Sequence, residues 1–180
     1  MYSLPWEHFD TDAPFTALRL SVLVRMLEAL DLQGTENVLD IGTGEGYRAA
    51  LLGSLAGRVR SIELVPSVAA SARARLEGLG CQNVEVLDGD GSLGFATGAP
   101  YDAIVVGGAS PDLPYELIDQ LVEGGRLVIP VGDARGQLIE RLCRRAVAVE
   151  LTTIAPCVLR PLAQRRERRS SVPWLRLETG

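Results

Sequence analysis

The chain contains no lysine; all 18 of its basic residues are arginine. Amine chemistry from a lysine side chain, as nucleophile or as Schiff base, is therefore excluded. Histidine occurs once, at His8 in the acidic, aromatic stretch MYSLPWEHFDTD, and reads there as a surface or packing residue. A single histidine so placed leaves no obvious catalytic acid–base pair. Cys81, Cys143 and Cys157 are too scattered for a zinc site and odd in number for a disulfide framework. No metal site is expected, and the cysteines read as reduced, mostly buried thiols of a cytoplasmic protein. The longest apolar runs are a few residues, well short of a bilayer span. The N-terminus lacks the basic-then-apolar order of a secretory signal, so neither export nor a membrane partner is expected.

What is present suits a globular core: 47% of the 180 residues are apolar, enough for one domain with a short appendage. The net charge of −5 argues against nucleic acid as a partner, since such binding draws on excess positive charge. The charge is unevenly spread. Residues 160–180 hold six arginines and two glutamates, which leaves the remainder at −9. The stretch QRRERRSS reads as a solvated tail, with an anionic partner or a subunit contact as the other reading.

Along the chain, Leu20, Leu23, Leu27 and Leu30 recur at helical spacing and predict an amphipathic helix over 17–30. A buried strand follows at 37–41 (NVLDI), then a helix at 46–56 and a strand at 59–64 (VRSIEL). Pro66 opens a helix that reaches about Leu79. Strands are expected at 83–88, 101–108 and 124–132, with a helix at 113–122 before the last of these. Beyond Gly132, QLIERLCRR and VELTTIAPCVLRPL carry no convincing helix and predict a terminal antiparallel hairpin. Alternating strands and helices predict an α/β fold: a mostly parallel sheet with helices on both faces. The division expected is an N-terminal segment and first helix (1–36), a sheet domain (37–162) and an Arg-rich tail (163–180).

The first strand runs into VLDIGTGEGYRAA, residues 38–50. In open α/β sheets ligands sit beyond the carboxyl ends of the strands, which is where this glycine turn falls. Gly42, Gly44 and Gly46 give G-x-G-x-G, whereas the dinucleotide fingerprint needs its third glycine one place later, and position 47 is Tyr. A P-loop needs Gly-Lys, and there is no lysine. The spacing therefore favours a nucleoside ligand without phosphate, with an amino-acid moiety over the glycines and Asp40 near its ammonium group. Glu63 ends the second strand, 21 residues after Gly42, where a carboxylate can accept both ribose hydroxyl protons. Past the third strand, Gly89, Asp90 and Gly91 offer an acceptor for an adenine amino group. Together these point to S-adenosylmethionine, leaving as S-adenosylhomocysteine.

Three longer motifs, VLDIGTGEGYRAALL, GDGSLGFATGAPYDAIVVGGASPDLP and LIDQLVEGGRLVIPVG, resemble the protein-L-isoaspartate O-methyltransferases over roughly residues 20 to 162. VLRPL (158–162) is similar to that family's closing strand. The resemblance implies a Rossmann-like, seven-stranded S-adenosylmethionine-dependent methyltransferase fold and methyl transfer to the carboxylate of an isoaspartyl residue in damaged protein. It implies that Asp40, Gly42, Thr43, Gly44 and Gly46 line the methionine part. Glu63 and Leu64 would lie at the ribose, and Gly89, Asp90 and Gly91 at the adenine. The family also has a Thr-Ile-Ser stretch before its first long helix. Here that region reads DAPFTALRLSVLV, which puts Leu18 at the serine's place with Thr16 and Ser21 nearby but out of register. No catalytic residue is carried over. Three functions follow: an isoaspartyl methyltransferase, a methyltransferase for another peptide or small carboxylate acceptor, and a non-catalytic cofactor-binding or interaction module.

Overall fold

The structure is a computed structural model that describes residues 20–164. The expectations for His8, Thr16, Leu18, the first turn of the predicted 17–30 helix and the tail from residue 165 on lie outside the described residues. Seven strands form one sheet in the order β3-β2-β1-β4-β5-β6-β7. They are β1 (Asn37–Ile41), β2 (Arg58–Glu63), β3 (Val84–Asp88), β4 (Tyr101–Val106), β5 (Leu121–Asp133), β6 (Gly136–Arg144) and β7 (Val149–Cys157). The first five pair in parallel; β6 runs antiparallel to β5, and β7 antiparallel to β6. The strand order reverses between β1 and β4, so the crevice beyond their carboxyl ends is the switch point of the sheet.

Helices α1 (Leu20–Leu30), α2 (Tyr47–Leu55) and α3 (Pro66–Gly78) cover one face. Met26, Ala29 and Leu30 of α1 and Leu52 of α2 share a core with Val38, Val59, Val105 and Val128. The buried stripe of α1 is Leu23, Met26, Ala29 and Leu30, with Leu20 exposed, so the stripe is turned from the one the leucines alone suggest. On the opposite face Leu39, Ile41, Ile62, Ile104 and Leu127 pack against a single helical turn, α4 (Tyr115–Ile118), and against Phe95 and Ala99 of the segment after β3. Here the expected helix over 113–122 is corrected. Leu121 and Val122 already belong to β5, where Leu121 pairs with Tyr101. Register shifts between Tyr101 and Ala103 as the chain passes the Gly124–Gly125 pair, a bulge within one long strand. VLRPL is likewise no sheet strand: β7 stops at Cys157, and Pro161 makes an isolated bridge with Ala109. Among the described residues, no helix is long and apolar enough to cross a membrane.

The connection from α1 into β1 turns on one carboxylate. Glu36 is 8% exposed and accepts the backbone N–H groups of Gln33 (2.8 Å), Gly34 (2.9 Å) and Thr35 (3.0 Å). Burial pushes its pKa up, but the backbone N–H groups outweigh burial and hold it below its ordinary 4.5. A carboxyl whose folded pKa is lowered contributes stability that is full above the unfolded value and lost as pH falls through the folded value. Glu36→Gln should therefore cost about 1–2 kcal/mol at pH 7. The gap between variant and native urea midpoints should close as pH drops below 4.5. A gap that stays constant with pH would mean the carboxylate charge is not what holds the turn.

Candidate functional site

The parallel register brings four strand ends to one line: Ile41 pairs with Ile62 and Val106, and Glu63 with Asp88. Backbone bonds extend the line past the strands. Gly42 and Thr43 donate to the Ile62 carbonyl, Gly89 to that of Glu63 and Gly107 to that of Ile41. The glycine turn, Glu63, Leu64 and the Gly89–Gly91 turn are thus neighbours along the carboxyl edge, as the sequence reading places them.

Gly42, Gly44 and Gly46 have φ of 85°, 54° and 88°, a region that costs any residue with a Cβ. A Cβ on Gly42 or Gly44 would meet nothing within 4 Å, so the backbone there faces open space. Glu63 is 9% exposed and ties the glycine turn to the entry of α3: Oε2 accepts the Gly44 N–H at 2.9 Å and Oε1 the Val65 N–H at 3.0 Å. Each oxygen keeps lone-pair capacity for a further donor. Leu64, the next residue, is half-buried. Gly91 must lack a side chain because its Cβ would lie 2.8 Å from Ile41 Cγ2, which lets the turn after β3 reach across to the tip of β1. Asp90 fixes that turn by accepting the Ser92 N–H through Oδ1 at 2.9 Å.

Asp40 departs from expectation. It is fully enclosed, accepting Arg48 Nε at 2.5 Å on Oδ1 and the Ser61 hydroxyl at 2.6 Å on Oδ2. Thr43 Oγ1 lies 2.6 Å from Ser61 Oγ, so the network runs from the glycine turn through β2 into β1. A carboxylate with no exposed surface offers a ligand no direct contact; Asp40 faces Arg48 instead. Arg75 on α3 adds an outer tie, donating from Nη1 to the Glu45 carbonyl and, at 2.5 Å, to its carboxylate. Ser21, a hydroxyl considered as a stand-in for the missing serine, is exposed in the first turn of α1.

Sequence reasoning missed Arg48 and Gly107. Arg48 sits in the first turn of α2, whose N-terminal dipole disfavours a cation, and it is 7% exposed. Its Nη2 donates to the Ile41 and Gly42 carbonyls, both at 2.9 Å. A Cβ on Gly107 would collide with the guanidinium, so the glycine after β4 is the space Arg48 fills. A charged residue in the otherwise apolar YRAALLGSL was the available signal.

A sheet of this order, with a glycine turn at the tip of β1 and a carboxylate at the tip of β2, defines the Rossmann-like methyltransferase fold. The chain belongs to the protein-L-isoaspartate(D-aspartate) O-methyltransferase family, whose model matches residues 11–167. A protein-L-isoaspartate O-methyltransferase from Anaeromyxobacter dehalogenans (strain 2CP-C) is 51% identical over 126 residues, 69% of this chain and 60% of that one. One from Koribacter versatilis (strain Ellin345) is 46% identical over 141 residues, 78% of this chain and 64% of that one. A solved protein-L-isoaspartate O-methyltransferase superposes with a TM-score of 0.74 at 27% identity, over 79% of this chain and 47% of its own. The chain thus spans under two thirds of the length of each.

Proposed function

We propose that the chain is an S-adenosylmethionine-dependent O-methyltransferase acting on the side-chain carboxylate of isoaspartyl residues in damaged protein. The observation that carries this reading is the convergence of the glycine turn, Glu63 and the Gly89–Gly91 turn on one edge, in a chain of this family.

The residues present fit the cofactor. Gly42, Thr43, Gly44 and Gly46 shape the turn over which its amino-acid end would lie, and the space beyond Gly42 and Gly44 is open. Glu63, already oriented by two backbone N–H groups, would accept the ribose hydroxyls with Leu64 beside them. Gly89, Asp90 and Gly91 would border the adenine. When bound, S-adenosylmethionine supplies a sulfonium methyl that is activated without help from the protein. What remains for the chain is alignment of donor and acceptor for an in-line displacement. An acceptor carboxyl with an ordinary pKa near ~4 is ionised at neutral pH, so no side chain need remove a proton. The site described here, built from glycines, Glu63 and a buried Asp40–Arg48 pair, suits a reaction of that kind.

The partner in this reading is a peptide or protein carrying the isoaspartyl group. A cytoplasmic location goes with it, the compartment in which the free cysteines Cys81, Cys143 and Cys157 stay thiols. The test is incubation of the full chain with methyl-labelled cofactor and an isoaspartyl peptide, alongside the matching aspartyl peptide and a panel of small carboxylic acids. The expected product is a base-labile methyl ester on the isoaspartyl peptide alone. Label on a small acid and none on that peptide would replace the acceptor while keeping the cofactor.

A further inference from the structure

Arg48 has more donors than the fold uses. A guanidinium carries five N–H groups. Nε is taken by Asp40 and both N–H groups of Nη2 by the Ile41 and Gly42 carbonyls. Nη1 has no acceptor among the described residues. Yet the one fully enclosed side-chain nitrogen or oxygen without a partner among those residues is Nε of Arg141. Nη1 therefore keeps an opening to solvent although the residue as a whole is 93% buried (7% exposed). Nη1 lies against Gly107, directly after β4, which bonds the β1 tip through Gly107 N–H to the Ile41 carbonyl at 2.8 Å. Any side chain at position 107 would collide with Nη1. The unused donors thus sit at the switch point between β1 and β4.

We propose that Nη1 of Arg48 binds the α-carboxylate at the amino-acid end of the cofactor, an inference that rests on the functional reading above. Asp40 already balances the charge of this nearly buried guanidinium, and the two spare N–H groups on Nη1 can still give a charge-assisted hydrogen bond to a carboxylate oxygen. The position agrees. With the ribose on Glu63 at the tip of β2, the rest of the ligand would extend over the glycine turn towards β1 and β4, the strand ends beside which Nη1 lies. The acceptor's own carboxylate is the other source of that chemistry. A nucleophilic carboxylate held by a guanidinium would have the charge it must donate tied up in that pair, which assigns Arg48 to the cofactor. Asp40 then acts as a positioning residue, holding the guanidinium from behind.

The experiment is calorimetric titration of the full chain with S-adenosylhomocysteine and with its counterpart lacking the α-carboxylate, on native protein and on Arg48→Gln. Native protein should bind the decarboxylated ligand about 10- to 100-fold more weakly, the worth of one charged hydrogen-bonded contact. In Arg48→Gln the two ligands should bind within about threefold of each other. Should that variant fail to fold by circular dichroism, Arg48→Lys keeps a cation opposite Asp40 and should shrink the same difference. Equal affinity on native protein overturns the assignment, as does discrimination that survives in the variant. Indifference to the α-carboxylate combined with a raised KM for the isoaspartyl peptide in Arg48→Gln would move the guanidinium to the acceptor and overturn it too. No binding of either ligand to native protein would instead remove the cofactor reading itself.

Discussion

Asp40→Ala should destabilise the fold by about 3–5 kcal/mol, the usual cost of removing one partner of a buried ion pair. The carboxylate has no exposed surface, and its loss strands the Arg48 guanidinium in a side-chain environment 7% open to water. It also frees the Ser61 hydroxyl and loosens the link to Thr43. Urea unfolding followed by circular dichroism measures this, with the slope unchanged if the loss is local. Asp40→Ala combined with Arg48→Met should be more stable than Asp40→Ala alone, because no buried charge is then left unpaired. A double variant no better than the single one would show that the guanidinium is solvated despite its burial.

Glu63→Ala should weaken S-adenosylhomocysteine binding by about 3 kcal/mol, or roughly a hundredfold, read by calorimetric titration. Two losses combine. On the proposed reading the ribose would lose a charged acceptor, and the glycine turn loses the bond from Gly44 N–H that fixes its position relative to β2. Glu63→Gln separates them. Its amide oxygen can still accept from Gly44 or Val65 but cannot serve both backbone N–H groups and both hydroxyls. An intermediate loss is expected for Gln. Unchanged affinity in both variants would show that the ribose binds elsewhere.

The sheet was legible because each parallel strand is a short apolar run closed by a helix or a turn signal, and the edge where ligands bind follows from strand direction alone. Glu63 was legible for the same reason: it ends a strand and stands next to the glycine turn in any parallel register. Where local signals served two structures at once, the reading failed. Leu117 and Ile118 are helical and Leu121 and Val122 extended, yet all four fit one amphipathic helix. Gly124 and Gly125 look like a stop, although the sheet absorbs them as a bulge. VLRPL has strand composition, but its approach is to Gly108, where a Cβ would lie 2.7 Å from Leu162 Cα. Asp40 is buried against Arg48 and Ser61, a pairing that the sequence does not display. Which group a buried carboxylate faces depends on the phase of the next helix, and only the folded chain brings Arg48 round to it.

The most direct measurement is a crystal structure of the full chain with S-adenosylhomocysteine. The ribose hydroxyls should lie within hydrogen-bonding distance of Glu63 and the adenine beside Gly89–Gly91, with the sulfur facing the gap between β1 and β4. An adenosyl group bound away from that edge, or Glu63 turned from the sugar, would contradict the methyl-donor site at its root.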